Sequence, residues 1–350
     1  MLKIGNIKIG LNRTPKIIAE ISANHNQSLG KAIELIKKAS KSGADFVKIQ
    51  TYSPECLTLD SERKDFIIND PKSPWHKKKL FDLYKIGETP YEWHKEIFNV
   101  AKKNKIILFA SVFDEASVDF LEKFNPPAYK VASFESNHYP LIKKIIKTRK
   151  PILISTGLNT LSEINSLVKF LKKNKCKKYA LLKCTSSYPA NLKDLNIKTI
   201  KDMKNKFNCE IGYSDHSIGY IAANSAIHYG ASFVEKHICL DNEKGIDSKF
   251  SLKVSKLKEF KDQLLESYTS IGKISYGATK NEKPYLKFRR SIYCSSNILI
   301  GEKFTKNNIK IIRPGLGIEP KYFEKILGKS SKFNLKFATA LKWKYIKNHD

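Results

Sequence analysis

The chain has 350 residues, 41% hydrophobic and 11% aromatic, which suffices for one barrel-sized core and a small second domain. No apolar run approaches the roughly 18 residues of a membrane span, and "MLKIGNIKIGLNRTPK" lacks the continuous apolar stretch of a signal peptide, so a cytoplasmic protein without a membrane partner is expected. The formal charge of +30, from 64 Lys+Arg against 34 Asp+Glu, is spread as lysine pairs over predicted helix faces; with no basic arm and no aromatic platform it argues against nucleic acid and leaves a field that attracts small anions.

From residue 17 onward, strand-like runs alternate with helical patterns. The runs are IIAEIS (17 to 22), DFVKIQTY (45 to 52), KIILFASVF (105 to 113), AYKVASF (128 to 134), PILISTG (151 to 157), KYALLKCTS (178 to 186), CEIGYSDHS (209 to 217) and SFVEKHICL (232 to 240). Between them lie stretches such as "GKAIELIKKASK", "EASVDFLEKF" and "LSEINSLVKFLKKN", apolar at helical intervals. Eight such units over roughly 250 residues predict an α/β fold of the TIM (β/α)8 type. A doubly wound sheet is the alternative, but no GxGxxG turn follows any strand.

The connection over residues 53 to 89, with Pro54, Pro71, Pro74 and "WHKKKLFDLYK", is long enough to be a functional loop. Alternation stops after Gly272. The barrel is therefore assigned to 1–272, a linker to 273–288 and a small β-rich domain to 289–350. Six scattered cysteines without a CxxC read as thiols of a reducing compartment, with Cys184, Cys209 and Cys239 as small core residues.

Polar residues interrupt these greasy segments near their C-terminal ends, where TIM barrels place their sites. They are Glu20 and Ser22, Lys48 and Gln50, Ser111, Lys130, Ser155 and Thr156, Lys183, Ser214 and His216, and His237. In "FVEKHICL" strand parity puts Glu235, His237 and Cys239 on one face and Lys236, Ile238 and Leu240 on the other. Lys130 and Glu135 differ in parity while Ser133 shares that of Glu135, so the fourth strand must break before Ser133. His216 and His237, on adjacent strand ends, are candidate ligands of one metal. His25 is a weaker candidate; His76, His94, His138, His228 and His349 read as helix, loop or surface residues. A lysine inside an apolar strand needs an anion, and an anionic substrate would serve Lys48, Lys130 and Lys183.

Taken in order, "IIAEISANHNQS", "DFVKIQTY", "YKVASFE", "LISTG", "LLKCTSSYP", "IGYSDHSIG", "VEKH" and "IIRPG" resemble the sialic acid synthase family over nearly the whole chain. Within it, "LFDLYK…TPYEWH", "GIDSKFSLK" and "FRRSIY" are most similar to the pseudaminic acid synthase branch. The resemblance implies a TIM barrel followed by an antifreeze-like (SAF) domain, and a homodimer in which that domain covers the partner's active site. It implies condensation of phosphoenolpyruvate with an open-chain amino sugar, releasing phosphate and requiring a divalent cation, Mn2+ or Mg2+, on His216 and His237. Lys48, Lys130, Ser111, Ser133 and Ser214 would cradle the phosphoenolpyruvate with Lys183 nearby, and Glu135 would position or deprotonate a water. Glu20, Gln50, Tyr188 and Asp247 match sugar-contacting positions, Phe288 packs in the linker, and Arg313 would reach the N-acyl group. Ser186 after "CT", with Arg289 and Arg290, departs towards a diacetamido sugar; Gln27 stands where Gly is usual, at a position suited to positive φ.

Overall fold

The computed structural model describes residues 1–10, 12–71, 73 and 75–347, so Pro74 and His349 lie outside the described residues. The chain divides into two compact units, Met1–Gly272 and Lys273–Asp350.

The alternation "LKIGNIKIG", not read above as an element, forms an antiparallel hairpin of β1 (Leu2–Ile4) and β2 (Ile7–Ile9). Eight parallel strands follow: β3 (Lys16–Glu20), β4 (Phe46–Thr51), β5 (Ile107–Val112), β6 (Tyr129–Val131), β7 (Ile152–Ser155), β8 (Tyr179–Cys184), β9 (Glu210–Asp215) and β10 (Phe233–Cys239). They pair in chain order, and β10 closes the ring against both β9 and β3. A two-residue β11 (Leu252–Lys253) pairs with the end of β10. A TIM barrel is the result, each barrel strand leading to an outer helix.

The helices form where the sequence supplies both a stripe and a stop. Leu161–Lys173 opens with Thr160 and Glu163 capping one another, ends in Lys172 and Lys173, and buries Ile164, Leu167, Val168 and Leu171 against the strands. Inside the barrel, strand parity stacks two kinds of layer. Towards the N-terminal ends, Ile18, Phe46, Phe109, Leu153 and Phe233 pack with Leu2, Ile4 and Ile9 of the hairpin, which plugs that end. Two residues further along each strand, the same inward face carries Glu20, Lys48, Ser111, Ser155 and Glu235. Gly212 on β9 makes room for this packing, since a Cβ there would sit 2.4 Å from the Phe233 ring.

β6 ends at Val131 and Ser133–Glu135 form a 3-10 turn, which is the break demanded by parity. In the second unit, β12 (Ser291–Cys294) pairs antiparallel with β13 (Ile309–Ile312) around a core that includes Ile292, Ile298, Phe304, Ile309 and Leu341. The β content is smaller than the sequence suggested: beyond that pair, its described residues contribute single bridges such as Tyr293 with Ala340. The stretch assigned to a linker contains a 3-10 helix, Lys283–Phe288.

Candidate active site

At the C-terminal ends of the barrel strands a cavity of about 440 Å³ opens, lined by polar strand ends and by an apolar group from the connection after β4. Strand register sets the polar floor, placing Glu20 beside Lys48, Gln50 beside Ser111, Ser111 beside Lys130, Ser214 beside Glu235 and His237 beside Glu20. Lys48 is ion-paired with Glu20, donates to Ser111 Oγ at 2.6 Å and lies 3.8 Å from Glu235. Lys130 donates to Ser155 Oγ at 2.7 Å and to the Val131 carbonyl at 3.1 Å. Among the described residues no carboxylate lies within ion-pair distance of it, and burial pushes its pKa below the ordinary lysine range. Burial opposes the charge on Glu235 as well, but Lys130 and Lys48 hold its pKa down at about 2. Glu20, equally buried, is driven upward by desolvation despite Lys48. Two lysines therefore share a floor with Glu20 and Glu235, and both close ion contacts fall to Lys48 while Lys130 has none among the described residues.

The 3-10 turn after β6 aims Glu135 into this cavity. Burial raises its pKa to about 7, with Lys130 pulling the other way, and its Oε2 has no hydrogen-bond partner. A carboxyl poised there can take or give a proton near neutrality. Ser133, from the same turn, accepts from the Gly157 amide at 3.1 Å.

His216 follows β9 and His237 lies within β10; their ring centroids are 5.3 Å apart. Nδ1 of His216 donates to the Thr185 carbonyl at 3.0 Å, which leaves Nε2 as the ring's lone-pair nitrogen. Nδ1 of His237 faces Asp247 Oδ2 at 3.6 Å. Among the described residues no third protein donor completes a metal cluster with them. Two neighbouring imidazoles, that of His216 oriented through Nδ1 and that of His237 with Nδ1 facing Asp247 without a hydrogen bond, fit a cation whose remaining positions stay open to water or substrate.

Of the residues expected at the site, Lys48, Gln50, Ser111, Lys130, Ser133, Glu135, Ser186, Tyr188, Ser214, His216, His237 and Asp247 all line the cavity. Glu20 does not reach its surface and is ion-paired with Lys48. Lys183 is a correction. It has the parity opposite to the cavity-lining Cys184, and its Nζ caps the Cys184 carbonyl at 2.8 Å and Thr185 Oγ1 at 3.3 Å. Phe288 and Arg313 belong to the second unit and are exposed there.

His25 is buried against Trp93 and away from the cavity lining, with Nδ1 accepting from Gln27 N at 3.2 Å and Nε2 3.4 Å from Thr89, and desolvation lowers its pKa to about 4. His94, read as a surface or helix residue, opens a helix but is wholly buried, bonded to Thr51 at 2.8 Å. Cys209 is only half-buried, and Cys184 faces the cavity 3.8 Å from His216, where the sequence suggested plain core. Glu235 was missed as a site residue although its parity with His237 announced it. Trp75, Tyr84 and Phe250 also line the cavity, and no local sequence signal distinguishes them from core aromatics.

The pattern of the NeuB family matches residues 35–276. Over 97% of this chain and 98% of the relative, the sequence is 42% identical to a pseudaminic acid synthase of Campylobacter jejuni. It is 40% identical to one of Helicobacter pylori, over 91% of this chain and 94% of that one. The crystal structure of an N-acetylneuraminic acid synthetase from Leptospira borgpetersenii in complex with citrate superposes with a TM-score of 0.72 at 29% identity, covering 82% of this chain and 95% of that one. With a match spanning most of the barrel and relatives aligned nearly end to end, the chain belongs to the NeuB family.

Proposed function

We propose that this enzyme is a pseudaminic acid synthase, condensing phosphoenolpyruvate with 2,4-diacetamido-2,4,6-trideoxy-altrose (6-deoxy-AltdiNAc) to a nine-carbon acid with release of phosphate. The observation that carries the reading is the floor of the cavity: Lys130, buried with no carboxylate at ion-pair distance, shares the field of Glu235 with Lys48 and stands near a carboxyl titrating near 7. An anion must complete that floor, and a phosphorylated carboxylate supplies one. The relatives' names point to the same chemistry.

In this reading Lys48, Lys130, Ser111, Ser133 and Ser214 hold the phosphate and carboxylate, while Gln50, Tyr188, Ser186 and Asp247 hold the sugar. The C3 carbon of phosphoenolpyruvate bonds to the aldehyde carbon, whose oxygen gains a proton and becomes a hydroxyl. Water then adds at C2, passing one proton to Glu135, and the C–O bond to phosphate breaks as the new C2 hydroxyl loses its remaining proton to the departing phosphate and becomes the ketone oxygen. His216 and His237 would hold a divalent cation, Mn2+ or Mg2+, which when bound supplies Lewis acidity at the sugar carbonyl. The reading includes a homodimer in which the small unit, as an antifreeze-like (SAF) domain, brings Arg313 and Phe288 to the partner's barrel. It also includes the cytoplasm, where six free thiols are stable. Among the described residues no helix is long and apolar enough to cross a membrane.

The test is phosphate release measured with phosphoenolpyruvate, a panel of amino sugars and added Mn2+ or Mg2+. Release that needs all three and is fastest with the diacetamido-trideoxy hexose is expected. Faster turnover with N-acetylmannosamine or with the sugar precursor of legionaminic acid would reassign the substrate, and full activity in excess chelator would remove the cation.

A further inference from the structure

We infer that the connection between β4 and β5 reads the methyl groups of the sugar, with Trp75, Leu57, Ile68 and Leu80 setting a preference for a deoxygenated sugar over its hydroxylated counterpart. The inference deepens the function proposed above and rests on it. Two chemically different parts of the chain line the cavity. The strand ends bring lysines, serines and carboxylates, whereas among the described residues the connection brings Leu57, Ile68, Trp75, Leu80, Leu83 and Tyr84 and no charged group. Such a wall offers no charge to phosphate or carboxylate, and its only side-chain donors among the described lining residues are the Trp75 indole and the Tyr84 hydroxyl. It suits the apolar parts of a ligand, and a sugar with a methyl at C6 and two acetyl groups has three methyls to offer.

The wall is built, not slack. Lys77 N donates to the Ile68 carbonyl at 2.8 Å and Ile68 N to the Lys78 carbonyl at 3.0 Å, which folds the segment back on itself. Leu80 begins the helix Leu80–Gly87, whose end is clamped by the Gln27 side chain, donating to the carbonyls of Ile86 at 2.8 Å and Glu88 at 3.0 Å. The wall also adjoins the histidine pair, since the Trp75 ring lies 6.3 Å from Tyr188 and Tyr188 lies 4.5 Å from His216. A sugar whose aldehyde meets the histidines therefore has this apolar surface beside its substituents. Apolar pockets discriminate one methyl or one hydroxyl by about ten- to two-hundredfold.

The test compares kcat/KM for the 6-deoxy diacetamido sugar and its 6-hydroxy counterpart, at saturating phosphoenolpyruvate and cation, in wild type, Trp75→Ala, Ile68→Asn and Trp75→Phe. The wild type is expected to prefer the deoxy sugar by at least about tenfold. Trp75→Ala and Ile68→Asn should shrink that ratio about fivefold or more through the sugar KM, with the phosphoenolpyruvate KM unchanged. Trp75→Phe, which keeps an apolar ring, should retain most of the preference and guards against a folding artefact in the alanine variant. Equal losses on both sugars, leaving the ratio intact, would overturn the inference, as would a wild type indifferent to the C6 hydroxyl. A wild type that is active on other sugars but not on these two overturns the substrate assignment and this inference with it.

Discussion

Glu235 and Lys236 are neighbours in β10, both buried, and they belong to opposite kinds of electrostatic surroundings. Lys236 points out of the barrel to Asp215 Oδ2 at 2.8 Å and to the Ser217 carbonyl. Asp215 in turn accepts from Ser217 N at 2.9 Å, Ser217 Oγ at 2.7 Å and Tyr213 at 3.3 Å. On the inner face, Glu235 accepts from Ser214 at 3.2 Å, keeps Lys48 at 3.8 Å and leaves Oε2 without a hydrogen bond, while Lys130, whose charge also steadies Glu235, has no carboxylate at ion-pair distance. The outer set is closed and the inner one open. A buried ion pair satisfied on every side holds structure, whereas a buried cluster short of a partner is arranged for something that arrives from solution.

Removing one lysine from each set breaks the comparison most sharply. Lys236→Met strands Asp215 in an apolar environment and should cost about 3–5 kcal/mol of folding stability, read as a lower urea midpoint. Lys130→Met takes away a cation that makes no close ion pair and is itself costly to bury, so the midpoint should fall by less than in Lys236→Met while phosphate release falls by about a thousandfold or more. Equal midpoints for the two variants would erase the distinction between closed and open sets.

A smaller effect belongs to the proton-transfer group of the open set. Glu135→Gln should lower kcat by roughly 10²- to 10⁴-fold while the sugar KM moves little. Because burial holds this carboxyl near 7 in the free enzyme, its base form predominates above that pH, so wild-type kcat/KM should climb through about 7 and level off. The variant should lose that ascending limb; an unchanged profile would take the role away from Glu135.

The smallest effect falls on the apolar side of the cavity. Gln27 sits at φ 54° and clamps the end of the helix Leu80–Gly87. Gln27→Gly releases the clamp without backbone strain and should raise the sugar KM a few fold while leaving that of phosphoenolpyruvate alone. Gln27→Ala loses the same bonds and keeps a side chain in the left-handed region, so it should also be less stable than the glycine variant by about 0.5–1 kcal/mol.

How far the sequence reached depended on whether a feature was periodic. All eight barrel strands and the break before Ser133 were legible, because period-two alternation and a parity conflict are written within a few residues. Lys183 was not, since a polar residue near a strand end looks the same from either face; only its neighbour Cys184, facing the cavity, shows that it points away. The hairpin at residues 2 to 9 escaped notice because its apolar residues find their partners in strands far along the chain.

By itself the sequence determined the alternation that makes a barrel and the strand ends that carry its chemistry, since side-chain period and the cost of burying charge operate locally. Tertiary structure alone decided which buried charges are paired. Asp215 meets Lys236 in a close ion pair, and Lys130 makes no such pair among the described residues, through strand register across the ring. Closing the barrel brings residues together that are hundreds of positions apart, and whether a lysine inside it is a brace or a binding group is settled by what faces it across that space.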